Sequence, residues 1–363
     1  MKRYIAFVAL TILALVASAC GGGQTAAPPA PTTGSNTVVS NTITQPTAPT
    51  TGGGAAPTSA PGEPAGLLAQ FENAGDSRDN VVVFDLTALP APASGVLVAW
   101  LTDDGGTPFK LGPAQAGTQN RYQDPEGRNL LGQFSGAIVS NEASDQVNAP
   151  STVVLRGALP PSLLSAMREL IVAAATPNGL PFDPGLKIQA QVLAEHGALM
   201  DDAAKAGDLS GMRQHAEHVT NITVGQLNEQ FGDLDGNGAT ENPGDGFGVA
   251  EYANAIVALL DPMIESPDAS ERVKFIAREM RQCAVNARNY ATDAVGQAKT
   301  ILAATDPGSV LANTDQVKQI TNAAFAGFDQ NGNGQLEYIA LECGATQVYL
   351  LAHALTAVEL KAP

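Results

Sequence analysis

STVVLRGALPPSLLSAMRELIVAA, residues 151–174, changes hydrophobic period in its middle. Before Pro160-Pro161, STVVLRGAL is a short run rich in β-branched residues, the signature of a strand. After the prolines, Leu163, Leu164, Met167, Leu170, Ile171 and Ala174 form one stripe at helical spacing. Two consecutive prolines cannot continue a strand ladder, and proline fits the first turn of a helix. The chain therefore divides here into a β-rich part and an α-rich part.

Upstream, further apolar runs recur between turn signals: VVVFDL (81–86), VLVAWL (96–101), FKLG (109–112) and LLGQFSGAIVS (130–140). Asp103-Asp104-Gly105-Gly106 and Pro125-Glu126-Gly127 are turns. In VLVAWL, Val96, Val98 and Trp100 share one face of a strand, and Leu97, Ala99 and Leu101 share the other. This spacing predicts a small antiparallel β-sandwich over 65–159. Downstream, helical patterns open at Asp183-Pro184, at Asp208 (to about Phe231), at Val249 and at Ser266-Pro267, and continue over Thr314–Phe328 and Leu336–Leu360. They predict an all-α bundle over 160–363. The fold class is α+β, with two domains.

The stretches VAWLTDDGGTPFKLG and GAIVSNEASDQVNAPSTVVLRG carry a further signal: a Trp-Leu run, a turn, a Leu-Gly strand, a Ser-x-Glu, then a proline before a Val-Val strand. Together they resemble the extracytoplasmic sandwich domain of bacterial anti-sigma factors. The resemblance covers about a fifth of the chain and implies the sandwich fold alone. The family's cytoplasmic zinc-binding part and membrane helix have no counterpart in the sequence, so sigma-factor binding does not carry over.

MKRYIAFVALTILALVASAC, residues 1–20, has a Lys2-Arg3 start, an apolar run and Ala-Ser-Ala before Cys20. It resembles a bacterial lipoprotein signal, which implies a signal peptide at 1–19, lipidation of Cys20 and an extracytoplasmic, membrane-anchored protein. A plain secretory signal cut near Ala19 is the alternative. Residues 20–64 are mostly Gly, Pro, Thr, Ser, Ala and Asn, a composition that buries no core and reads as a disordered tether. The net charge is −17, and such acidity repels phosphate backbones, so nucleic acid is not an expected partner. Cys283 and Cys343 are the two remaining cysteines and read as a disulfide in an oxidising compartment, with a pair of buried thiols as the alternative.

Two segments carry metal chemistry. In FDQNGNGQLEY (328–338), Asp329, Asn331, Asn333 and Gly334 occupy positions 1, 3, 5 and 6 of an EF-hand-like loop. The Gln335 carbonyl takes position 7 and Glu337 position 9. FGDLDGNGATE repeats the pattern with Asp233, Asp235, Asn237, Gly238, the Ala239 carbonyl and Glu241. Calcium wants six to eight oxygens around one point, and alternate side chains of a tight turn supply them. Loops 233–244 and 329–340 each lack the usual carboxylate at position 12, where Gly244 and Ala340 stand. Asp245 and Glu342 are the nearest substitutes. The other reading makes both loops polar helix connectors.

His196, His215 and His218 form the second set. His215 and His218 are three apart and share a helical face, with Glu217 beside them; His196 lies on the preceding helix. Converging, they would suit a transition metal or haem iron. The competing reading makes them core or surface histidines, and His353 is only flanking. No Gly-x-Ser-x-Gly, P-loop, dinucleotide fingerprint or His-Glu-x-x-His occurs, so no residue marks an enzyme. The expectation is a lipid-anchored, calcium-binding protein of non-catalytic role, meeting a cell-surface or envelope partner. Its alternatives are a histidine-based metal or haem carrier and a ligand-free structural envelope protein.

Overall fold

The structure is a computed structural model and describes residues 67–72 and 79–363, all within one compact unit. The signal at 1–19, Cys20 and the tether at 20–64 lie outside the described residues. Seven strands come first: β1 (Leu68–Glu72), β2 (Val81–Asp85), β3 (Val96–Thr102), β4 (Pro108–Ala114), β5 (Gln119–Gln123), β6 (Gly136–Glu142) and β7 (Val153–Ala158). Seven helices follow: α1 (Pro161–Ile171), α2 (Phe182–Lys205), α3 (Leu209–Val224), α4 (Val249–Glu265), α5 (Glu271–Leu302), α6 (Leu311–Ala326) and α7 (Ala345–Leu355). A last short strand, β8 (Val358–Glu359), ends the order. The α+β class is thus realised as two four-stranded antiparallel sheets followed by a helical bundle.

One sheet runs β5-β2-β1-β8 and the other β4-β3-β6-β7. Phe71, Val82 and Phe84 of the first share a buried core with Leu97, Ala99, Leu101 and Val139 of the second. The alternation in β3 therefore does what the sequence asks. Trp100 is fully buried as well, on the opposite face, where its indole N–H donates to Ser140 Oγ at 2.9 Å. Leu130 to Phe134 is a turn rather than a strand, and its leucines plug the core. Strand β5, QNRYQ, has no apolar run to announce it; it is an edge strand with three of its five residues exposed.

The expectation that 160–363 is all helix is corrected at its end. Val358 and Glu359 pair with Ala69 and Leu68 of β1. Lys361 and Arg156, next to them, exchange both backbone hydrogen bonds at 2.9 and 3.0 Å. The tail thereby stitches the edges of the two sheets together. Helix α7 stops at Leu355 because its last carbonyls are already engaged. Thr356 Oγ1 donates to Ala352 O and His353 O, and the buried Arg272 donates to Ala354 O at 2.6 Å.

Other helix limits also move. Helix α7 begins at Ala345 rather than Leu336, since Leu341 holds a positive φ of 68° that no α-helix contains. Helix α3 ends at Val224, where Gly225 turns to φ 75°. Helix α5 is capped by Ser270, which accepts from Val273 N, so Ser266-Pro267 lie in the turn before it. Asp183 is not a cap. It sits inside the first turn of α2, wholly buried, with neither carboxylate oxygen hydrogen-bonded.

Helix α2 packs against α3, α4, α6 and α7, while α5 backs α3, α4, α6 and α7. Gly197 makes the α2–α6 approach possible: a Cβ there would stand 2.1 Å from Thr321 Oγ1. Helix α1 is fastened to the sandwich by Arg168, which grips both Asp104 oxygens at 2.8 and 2.9 Å and donates to Leu131 O at 3.0 Å. Cys283 of α5 is disulfide-bonded to Cys343, just before α7.

Candidate metal centre

Helices α2 and α3 form an antiparallel hairpin around Ala206-Gly207-Asp208, and Asp208 caps α3 by accepting from Gly211 N at 3.0 Å. His196 and the pair His215 and His218 lie at comparable distances from that bend, so the hairpin folds one onto the other. His196 Nδ1 stands 3.2 Å from His215 Nδ1 and 3.1 Å from His218 Nδ1. Each ring contributes one nitrogen to a group whose members all lie within 4.8 Å of one another. His218 is buried and the other two are half-buried.

These distances carry chemical information. Zinc–imidazole bonds of 2.0–2.1 Å in a tetrahedron place neighbouring nitrogens about 3.3 Å apart. The two printed edges, 3.1 and 3.2 Å, are close to that value. Ligand imidazoles must also be neutral. Burial, reinforced by the neighbouring His218 and His215, pushes His196 down to about 4, and burial with His218 also lowers His215. Three nitrogens crowding one point suit a bare ion; a porphyrin plane would have to pass between rings that touch. Three ligands leave a fourth vertex for water or a small anion.

A carboxylate stands on the far side of His218. Glu241 Oε2 lies 3.2 Å from His218 Nε2 and accepts from Gln214 Nε2 at 2.9 Å. The Gln214 hydrogen bond, with that of His218, holds the Glu241 carboxyl below its usual range. Glu241 belongs to the first calcium-type loop, and that loop is organised by a residue outside it. The wholly buried Glu217 accepts from Glu241 N at 2.7 Å, Leu234 N at 2.7 Å and Asp235 N at 3.1 Å. Asn221, one turn on, donates to Gly232 O and Glu241 O and accepts from Gly232 N.

The two loops share one backbone design. Asp233 accepts from Gly236 N and Gly238 N, both at 2.9 Å; Asp329 accepts from Gly332 N at 2.8 Å and Gly334 N at 2.7 Å. Asn237 accepts from Ala239 N as Asn333 does from Gln335 N. At position 9, a buried carboxylate receives the amide in each: Glu217 takes Glu241 N and Glu342 takes Glu337 N. Fifteen residues past the first Asp, Gly248 and Gly344 precede α4 and α7. The pattern is therefore an internal repeat, with exit helices starting later than the sequence reading placed them.

The side chains of the loops differ. In the second, Glu337 folds back to accept from Asn331 Nδ2 at 3.0 Å and Asn333 Nδ2 at 3.3 Å. In the first, Glu217, Asp233 and Asp235 each bring one oxygen within 4.8 Å of the others. Asp245 is not brought to its loop: it accepts from Tyr252 Oη at 2.6 Å and Phe247 N at 2.9 Å. Glu342 accepts from the Glu337 amide at 3.0 Å. His353 is not a flanking residue of any metal group but a buried partner of Asp79, 3.0 Å away.

Sequence reading missed Glu217, Gln214 and Asn221 as organisers. The signal available was their spacing: Glu217 and Asn221 are four apart, on one face of α3, in a helix half of whose residues are polar. Comparison with protein-family models, with curated proteins and with solved structures finds no match for this chain.

Proposed function

We propose that this chain is a metal-binding protein whose centre is His196, His215 and His218, taking a borderline divalent ion of the zinc class with one vertex open. The observation that carries the reading is the pair of Nδ1 separations, 3.1 and 3.2 Å, close to a tetrahedral edge. Imidazole ligands favour zinc, copper, nickel or iron over calcium and magnesium. The function proposed is binding or carriage of that ion. The test is equilibrium binding of zinc to the metal-stripped soluble fragment from Ala65 to Pro363. One ion per chain should bind and be lost in His196→Ala. Unchanged binding in that variant would sink the reading.

Calcium in the loops is a second reading, supported by the matched backbones and by Glu337 closing over Asn331 and Asn333. Calcium would then fix the helix–loop–helix corners around α3–α4 and α6–α7. Millimolar calcium should raise the unfolding temperature, and Asp233→Ala with Asp329→Ala should abolish the rise. No shift in the unaltered protein would leave the loops as connectors.

The lipid anchor at Cys20 and an extracytoplasmic location remain part of the proposal. The Cys283–Cys343 disulfide supports an oxidising compartment. Among the described residues no helix is long and apolar enough to cross a membrane. Attachment through Cys20 predicts that Cys20→Ser releases the protein from membranes. An envelope or cell-surface protein would be the partner presented to the tethered domains.

A further inference from the structure

We infer that Glu241 is the positioning residue of the histidine centre, so that the loop bearing it sets the affinity of the metal site; this rests on the reading of that centre given above. An imidazole has its two nitrogens on opposite edges. His218 turns Nδ1 toward His196 and Nε2 toward Glu241. A carboxylate only accepts, so Nε2 must carry the proton. With Nε2 held by Glu241, Nδ1 is the nitrogen that faces the point where the three rings meet. Glu241 cannot itself reach that point from behind the ring, so it orients a ligand rather than being one. A carboxylate behind a ligating histidine also raises the basicity of the nitrogen that binds.

The placement of Glu241 is built in. Gln214, one turn before His218 on α3, holds the same Oε2 at 2.9 Å. The Glu241 amide is held at 2.7 Å by Glu217, wholly buried, and its carbonyl at 2.8 Å by Asn221, also wholly buried. Helix α3 thus carries two ligands, His215 and His218, and three residues that fix the loop behind one of them. Glu241 turns an oxygen toward a histidine while keeping a hydrogen bond to Asn237, whereas its counterpart Glu337 folds onto Asn331 and Asn333. Histidine is absent from α6, so the second loop has no ring to orient.

The experiment measures zinc affinity by competition with a chromophoric chelator, cobalt(II) absorption, and the ring nitrogen resonances of His218. It compares the unaltered fragment with Glu241→Ala, Glu241→Gln, Gln214→Ala and His196→Ala. Glu241→Ala should bind about 10–100-fold more weakly, with His218 losing its single Nε2–H form. Glu241→Gln, which keeps an acceptor oxygen, should recover most of the affinity. Gln214→Ala should fall between. The cobalt spectrum should keep the same ligand number throughout. Affinity unchanged in Glu241→Ala, while His196→Ala abolishes binding, would overturn this inference and leave the centre standing. A change in cobalt ligand number on losing Glu241 would also overturn it, by making that residue a ligand. Binding that survives His196→Ala would instead remove the centre itself.

Discussion

Asp183, His353 and Asp79 form a charged cluster where α2, α7 and the start of the sandwich meet. Lys187 and Tyr349 are the neighbouring polar groups, the ammonium lying 3.8 Å from the tyrosine ring centroid. Burial pushes Asp183 up to about 7, against the attraction of His353. Burial alone would lower His353, but the hydrogen bond and charge of Asp79, with the charge of Asp183, raise it to about 9. Both groups hold their protons more tightly folded than unfolded. The His353 contribution is then fully present below its unfolded value of 6.5 and lost as pH rises through 9. The shift corresponds to roughly 3 kcal/mol. Asp183 acts in the same direction: its contribution is full below 3.8 and lost as pH rises through about 7. Urea unfolding should therefore show stability falling as pH rises from 3.8 to about 9, and His353→Gln should flatten the part of that slope between 6.5 and about 9. A flat profile in the unaltered protein would contradict the assignment. None of this is legible in the sequence. Asp183 before a proline reads as a cap, and its partners lie more than a hundred residues away in both directions.

At the scale of elements, the periodic signals were readable and the terminations were not. The stripe from Leu163 to Ile171 and the alternation in β3 are buried as their spacing requires, because solvent exclusion acts on those positions directly. Helix ends depend on tertiary partners: Arg272 donating to Ala354 O at the end of α7, Leu341 forced to positive φ before its start. The histidine cluster was half legible. The three-residue spacing of His215 and His218 gave their shared face, but only the hairpin turn at Gly207 brings His196 against them. Two changes test the packing of these elements. Gly197→Ala drives a methyl into Thr321 of α6, since the Cβ would stand 2.1 Å from Oγ1. It should cost about 1–3 kcal/mol in chemical denaturation, and next to His196 it should also weaken zinc binding. Removing the Cys283–Cys343 bond, which closes a separation of 60 residues, should cost on the order of 4 kcal/mol by the chain-entropy model. Hydrogen exchange should then rise first across 336–344, the segment that Asn286 and the disulfide hold against α5.

The whole molecule turns on the last few residues. A chain whose sandwich and bundle come in succession would be expected to unfold in two steps, each domain by itself. Here the tail returns: β8 extends the first sheet beside β1, and Lys361 joins Arg156 at the edge of the second. Ser270, at the start of α5, bonds Glu359 of β8, so the bundle holds the strand that the sandwich needs. Arg168 makes the opposite connection, a bundle residue gripping a sandwich turn. These ties make the two halves mutually dependent. Trp100 reports on the sandwich alone, because it is the single tryptophan and is buried on β3. Far-ultraviolet circular dichroism reports mainly on the helices. In the intact fragment the two signals should lose their native values together along a denaturant series, as one transition. Deleting 357–363 removes β8 and the Arg156 bridge while leaving every helix and the disulfide in place. The Trp100 transition should then move to lower denaturant and separate from the helical one. Zinc affinity should survive, since all three histidines and Glu241 belong to the α2–α3 hairpin and the loop that follows α3. Coincident transitions after the deletion would mean that the tail merely decorates the sheets, and that the α1 contacts and the Asp79–His353 pair couple the layers without it.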